Sequence, residues 1–263
     1  MTTVSRPDPR AFRERLLARE PLLGTFMKTP SAHNTEIIGG LGFDFVVLDE
    51  EHAPWDRGTL DMGLLAARAF GTAGIVRIAR PDPTSILSVL DDGAIGVMVP
   101  HVDSAQKARD IVSWSHYQGG SRGLGIGRGG EYGARGADHV PFADKTTTVI
   151  AMIEDRKAID AIDEIAAVPG VDCLFLGRGD LGLSLGQAKG APTLAEAVEI
   201  VAAAARKHDK PLAAVVPAMT SDEAKWLMSL GVTAMMVLSD QSFMRQAAAA
   251  ALREFKSAYG RGS

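Results

Sequence analysis

Along this chain, short runs of Val, Ile, Leu and Phe alternate with longer stretches in which apolar residues return every three or four positions. The runs are apolar at nearly every residue, as strands of a parallel sheet covered on both faces should be, and the longer stretches carry the period of surface helices. A charged opening helix over 10–20 leads into a strand at 22–27, and Ser31 is placed to cap a helix that ends at Gly39 and Gly40. Strands follow at 43–48, 74–78 and 95–100, separated by helices over 60–70 and 83–90. Ser104 caps a helix to Trp114, and a long glycine-rich loop over 115–145 leads to the fifth strand at 147–153. Strands at 171–176, 211–216 and 232–238 complete the set, with helices over 156–167, 193–208, 222–230 and the alanine-rich 241–255. Eight strand–helix units in 263 residues predict an α/β fold, a closed (β/α)8 TIM barrel rather than an open doubly wound sheet. No shift of composition marks a boundary, so residues 1–263 read as one domain with a short N-terminal helix and the glycine-rich excursion.

Composition narrows the function classes. With 28 Lys+Arg against 32 Asp+Glu there is no basic excess to collect phosphates along a nucleic acid. No stretch approaches the length of a membrane span, and the first ten residues lack the apolar core of a signal peptide. The one cysteine, Cys173, sits in an apolar run and suits a reducing cytoplasm.

In a barrel of this kind, chemistry gathers where strands end. Asp49, Glu50, Glu51 and His52 follow strand two, and strand four runs into His101. Strand five ends at Glu154, and strand six runs into Gly177, Arg178, Gly179 and Asp180. Arg77 lies within strand three, where a guanidinium is costly unless it meets an anion. Two readings stay open for it, a pair with an internal carboxylate or a clamp on a bound oxyanion. Glu154 and Asp180 end adjacent strands about 4.8 Å apart, and carboxylates that close repel unless a proton or cation lies between them. Hard oxygen donors of this type suit Mg²⁺ or Mn²⁺. His52 follows three acids and reads either as a plain surface histidine or as a general base, for which Asp91, at the end of the helix over 83–90, is a candidate partner. The long loop holds nine glycines with Arg122, Arg128 and Arg135, which suggests an anion-facing cover. Two motif matches are accidental. The glycines at 125, 127 and 130 do not follow a strand, and Ser184 lies past a strand end with no later acid and His to complete a triad.

The segment 42–54, with its Asp49-Glu-Glu-His-Ala-Pro run, joined to Val76-Arg77, Ser121-Arg-Gly123, Ile153-Glu154 and Gly177-Arg-Gly-Asp-Leu181, resembles the metal-dependent class II pyruvate aldolases. These include the 4-hydroxy-2-oxoheptanedioate and 2-dehydro-3-deoxyglucarate aldolases, and the resemblance covers nearly the whole chain. It implies a barrel of the phosphoenolpyruvate/pyruvate type that cleaves 4-hydroxy-2-oxo acids to pyruvate, or a related 2-oxo acid, and an aldehyde. It also implies Mg²⁺, Mn²⁺ or Co²⁺ held by Glu154 and Asp180, His52 as acid/base, Asp91 raising its basicity, and Arg77 stabilising the transition state. The backbone at Gly179 and Asp180 would hold the pyruvate carboxylate, and a homohexamer built from dimers would exchange the last helix. Met152 stands where several members use a substrate-contacting Gln, Glu50 where many have Gly, and Arg178 where many have Pro, departures that bear on substrate preference. A Schiff-base route would need a desolvated lysine at the mouth, and of nine lysines only Lys28 directly follows a strand. The rival readings are an acyl-CoA lyase of the malyl- or citramalyl-CoA type and a non-catalytic barrel that binds a 2-oxo acid.

Overall fold

A computed structural model describes residues 8–186 and 190–260, so most of the N-terminal stretch read for a leader lies outside the described residues. Eight strands close on themselves in chain order, each paired in parallel with its sequence neighbours and β1 with β8. They are β1 (Leu22–Met27), β2 (Phe45–Asp49), β3 (Ala73–Arg77), β4 (Gly96–Val99), β5 (Thr148–Ile153), β6 (Cys173–Leu176), β7 (Leu212–Val216) and β8 (Val232–Ser239). The helices are α1 (Phe12–Leu17), α2 (Ala32–Leu41), α3 (Arg57–Ala69), α4 (Pro83–Asp91), α5 (Ala105–Ser115) and α6 (His139–Thr146). They continue as α7 (Arg156–Asp160), α8 (Ile162–Ala166), α9 (Arg178–Gly186), α10 (Leu194–Lys207), α11 (Asp222–Ser229) and α12 (Asp240–Ala258).

Alternation of side chains along each strand divides the core into two layers. Phe45, Val47, Ile75, Met98, Ile150, Met152, Phe175 and Met236 form one buried cluster inside the barrel. Val46, Leu48, Val76, Val97, Val149 and Leu176 belong to the other, packed against helix residues such as Leu64, Ile86, Ile111 and Val201. Gly24 is required by this packing, because a Cβ there would stand 2.4 Å from the Phe45 ring. The inward parity of Val47 and Ile75 also applies to Asp49 and Arg77, so two charged side chains face the barrel interior at its upper rim.

Several boundaries differ from the sequence pattern for local reasons. Asp56 accepts from the Thr59 N–H in a reciprocal capping box and starts α3 earlier than the apolar period suggests. Ser31 precedes α2 but its side chain makes no capping bond. The helix expected over 156–167 breaks at Ala161 into α7 and α8. The glycine-rich excursion ends in α6, and the glycines at 177, 179, 182 and 186 conceal α9 in the sequence.

Candidate active site

One rim of the barrel gathers the polar residues that follow the strands. At its floor lies a buried ion pair. Asp49 and Arg77 are direct neighbours in the β2–β3 register, and the guanidinium donates from Nε to Oδ1 and from Nη2 to Oδ2, each at 2.7 Å. Both side chains are almost wholly buried, and the guanidinium also lies 4.7 Å from the centre of the Phe26 ring. Lys28 Nζ, just past β1, approaches Asp49 Oδ2 at 3.4 Å, and the His52 backbone N–H donates to Asp49 Oδ1 at 3.2 Å. Burial alone would push the Asp49 carboxyl up, but Arg77, the His52 N–H and Lys28 outweigh it and hold it below the ordinary carboxylate range. The pairing reading for Arg77 is therefore realised, and it does not exhaust the group, since Nη1 still reaches Glu51 Oε2 at 3.3 Å.

Above this pair sit the acids and imidazoles. Glu51 Oε1 lies 3.7 Å from His101 Nε2, while its Oε2 is buried without a hydrogen-bond partner and lies 3.7 Å from His52 Nε2. His101, held in a left-handed conformation with φ of 55°, donates its backbone N–H to Glu154 Oε1 at 2.8 Å. Its Nδ1 contacts Asp155 Oδ2 at 3.0 Å. Burial disfavours the charged imidazolium of His101, but Asp155, Glu154 and Glu51 outweigh it and raise its pKa above the ordinary histidine value. Glu154 is buried at the end of β5, and its pKa is pushed up by burial first and then by the negative charges of Glu51 and Asp180, against the His101 N–H and ring. Gly177 makes room for it, because a Cβ there would stand 2.6 Å from Glu154 Cβ.

This arrangement suits a divalent cation. Glu51, His101 and Glu154 each offer a ligand atom within 4.8 Å of the others. The mutual repulsion of the carboxylates favours added positive charge, and Glu51 Oε2, in ion-pair contact with Arg77, still accepts no hydrogen bond. Of the pair expected from sequence, Glu154 belongs to this cluster. Asp180 is exposed in the first turn of α9, close enough for its charge to act on Glu154.

The remaining expected residues divide between the rim and elsewhere. His52 is half exposed at the rim. Gly179 is exposed beside Asp180, with open space where a side chain would stand. Met152 is 2% exposed in the inner cluster, two residues below Glu154. Asp91 is placed differently. Because α4 runs back against the strand direction, its last residue lies at the opposite end of the barrel, where Asp91 Oδ1 receives Arg122 Nη2 at 2.9 Å. Within one copy of the chain it does not reach His52. The glycine-rich excursion follows a helix rather than a strand, so it too covers the far end and is no lid on this rim. Arg122, Arg128 and Arg135 pair there with Asp91, Asp61 and Glu131. Arg178 leaves the mouth to pair with Glu223 and the Val215 carbonyl. The sequence left Asp49, Glu51, His101 and Lys28 without roles, although each lies at or just past a strand end.

The model of the HpcH/HpaI aldolase/citrate lyase family matches residues 22–240. The 5-keto-4-deoxy-D-glucarate aldolase of Klebsiella pneumoniae is 32% identical over 242 residues, covering 91% of this chain and 94% of the relative. A solved HpcH/HpaI aldolase/citrate lyase family protein from Burkholderia cenocepacia superposes with a TM-score of 0.87 at 28% identity, over 94% of this chain and 99% of its own. The structure of citrate synthase SbnG gives a TM-score of 0.82 at 31% identity, over 94% and 98%.

Proposed function

Since the chain belongs to the HpcH/HpaI aldolase/citrate lyase family and is an aldolase, we propose that it reversibly cleaves 4-hydroxy-2-oxo acids to pyruvate, or a related 2-oxo acid, and an aldehyde. The observation that carries this reading is the Glu51, His101 and Glu154 cluster set directly over the buried Asp49–Arg77 pair. Glu154 with Asp180, and Glu51 and His101 beside them, would hold Mg²⁺, Mn²⁺ or Co²⁺. A bound dication supplies Lewis acidity, drawing charge from a keto oxygen and acidifying the adjacent carbon.

The chain's own groups account for the remaining chemistry. Asp49 grips two edges of the Arg77 guanidinium and fixes it at the rim, where Nη1, now 3.3 Å from Glu51 Oε2, would also serve the oxygen on which charge develops. His52 takes the proton from the C4 hydroxyl of the substrate. As the C3–C4 bond breaks, the aldehyde forms, and the bonding pair passes to C3, which becomes the methyl carbon of pyruvate on protonation. Backbone N–H groups in the first turn of α9, at Gly179 and Asp180, lack helical acceptors and suit the substrate carboxylate. Met152 forms the apolar floor beneath Glu154, and Asp91 would serve His52 only from a second copy of the chain.

A second copy is expected on other grounds. α12 runs for 19 residues with only Asp240 buried, and leaves Met244, Leu252 and Phe255 exposed, with Tyr259 exposed just past its end. An exchange of this helix within a homohexamer would cover them. Among the described residues no helix is long and apolar enough to cross a membrane, and the buried free thiol of Cys173 fits a reducing cytoplasm.

Pyruvate release from 5-keto-4-deoxy-D-glucarate tests the reading. Chelator is expected to abolish turnover and Mn²⁺ to restore it, and Glu154→Gln to lower it by about 10³ or more, the scale of losing a principal electrostatic stabiliser. Turnover that persists in chelator, or a lysine–pyruvate adduct trapped by borohydride, overturns it.

A further inference from the structure

A cavity of about 480 Å³ opens at the strand-start end of the barrel, the opposite end from Glu51, His101 and Glu154. Its volume is that of a small-molecule site, roughly 300–1,000 Å³. The floor is formed by Gly74, Ile95 and Thr147 at the starts of β3, β4 and β5, and the walls come from α3, α4, α6 and the glycine-rich excursion. Five arginines line it against two carboxylates, Asp8 and Glu131. Two of the five are neutralised from behind the wall, Arg122 by Asp91 at 2.9 Å and Arg128 by Asp61 at 2.8 Å. The other three converge on a single oxygen. Arg135, Arg10 and Arg68 lie 2.6, 3.5 and 3.8 Å from Glu131 Oε1, and Arg10 also grips Asp8.

Three guanidiniums thus share two carboxylates. One positive charge is left over among like charges, an arrangement that an additional anion relieves. A second observation points the same way. Arg122 Nε, Arg135 Nε and His139 Nδ1 are all buried without a hydrogen-bond partner, and all three residues belong to this wall. Arg122 and His139 are 8% and 4% exposed. Folded proteins leave few such groups, because a buried donor or acceptor without a partner has lost its hydration and gained nothing in return. The rest of the lining is apolar, with Leu64 and Leu90 beside Phe142, whose ring already carries the Arg135 guanidinium 3.5 Å from its centre.

We propose that this cavity is a second ligand site, separate from the catalytic rim, that takes one small organic oxyanion, a phosphate or carboxylate on a short apolar body. The head group meets Arg135, Arg10 and Arg68, and the body lies on Leu64, Leu90 and Phe142. Arg68 is half exposed and has the freedom to swing onto the ligand.

Calorimetric titration of the full chain with phenyl phosphate and with benzoate tests this, since the two probes share a body and differ in the head. Saturable binding of one probe per chain is expected, weakening with added salt, and the probe that binds identifies the head group. Arg68→Gln and Arg135→Gln should each weaken it at least tenfold, whereas Glu154→Gln at the other rim should leave it unchanged. Because Arg68 is half exposed, its variant remains informative if Arg135→Gln fails to fold. The proposal falls if neither probe saturates, if binding survives both Arg68→Gln and Arg135→Gln, or if Glu154→Gln abolishes it.

Discussion

The Asp49–Arg77 pair concentrates two opposing costs in two adjacent residues. Removing both charges from water is expensive, and the two 2.7 Å hydrogen bonds offset that expense only while both partners remain. Truncating one partner strands the other, so Arg77→Met is expected to destabilise the barrel by about 3–5 kcal/mol at neutral pH, the range for breaking a buried pair. The pH dependence has a definite sign. In the native protein Asp49 titrates below its unfolded value of about 3.9. As pH falls, the unfolded chain therefore takes up the proton first, and the pair's contribution is complete above that value and is lost on passing down through the native pKa. In Arg77→Met the same fall in pH relieves the stranded carboxylate. Urea denaturation followed from pH 7 to pH 3 should show the gap between the two proteins narrowing with acid. A gap that is constant with pH would mean the pair contributes nothing electrostatic.

At the scale of strands and helices, register and chain direction determine which residues meet. Parallel pairing sets Asp49 beside Arg77, and the step from β5 to β6 sets Glu154 against Gly177. A methyl group at Gly177 would stand 2.6 Å from Glu154 Cβ, so Gly177→Ala must displace the carboxylate or the strand end. Gly177→Ala is expected to weaken Mn²⁺ binding roughly 10- to 100-fold, the usual effect of losing support for a metal ligand. Gly24→Ala is the control. It presses on the Phe45 ring inside the barrel, so it should cost about 1–3 kcal/mol in stability with little change in metal affinity. Equal loss of affinity in both variants would show that Gly177 has no special bearing on Glu154. The same rule of direction explains the glycine-rich excursion. Its glycines and arginines suggest an anion-facing cover, and because the helices return the chain to the strand starts, a loop after α5 emerges at that end and not at the rim that carries Glu154.

For the molecule as a whole, the two ends of the barrel carry opposite electrostatics. One rim gathers Glu51, Glu154, Asp155 and Asp180 around two histidines, and the other holds five arginines against Asp8, Asp61, Asp91 and Glu131, which leaves one positive charge in excess. The exposed apolar residues of α12 have no cover among the described residues of one chain. Light scattering on the full chain is expected to give the mass of a hexamer, and Phe255→Asp, which sets a charge on that face, to shift it toward smaller species. A monodisperse monomer in the unaltered protein would leave α12 without the role assigned to it.

Hydrophobic alternation by itself determined the barrel. Eight near-continuous apolar runs separated by helical periods admit few other closed solutions, and the strand limits fell within two residues of their observed places. Strand ends likewise singled out His52, Arg77, Glu154 and Asp180 as candidates, and all four lie at one rim, because parallel strands all end on the same side. Tertiary structure decided the partnerships. Which carboxylate answers Arg77 depends on register, and Glu51 and His101 join Glu154 through loops whose course no local period encodes. Asp91 lies close in sequence to the strand that leads into His101, yet α4 carries it to the far end of the barrel. The distant cluster acquires its collective charge only when α3, the glycine-rich excursion and the N-terminal segment bring Arg68, Arg135 and Arg10 onto one glutamate.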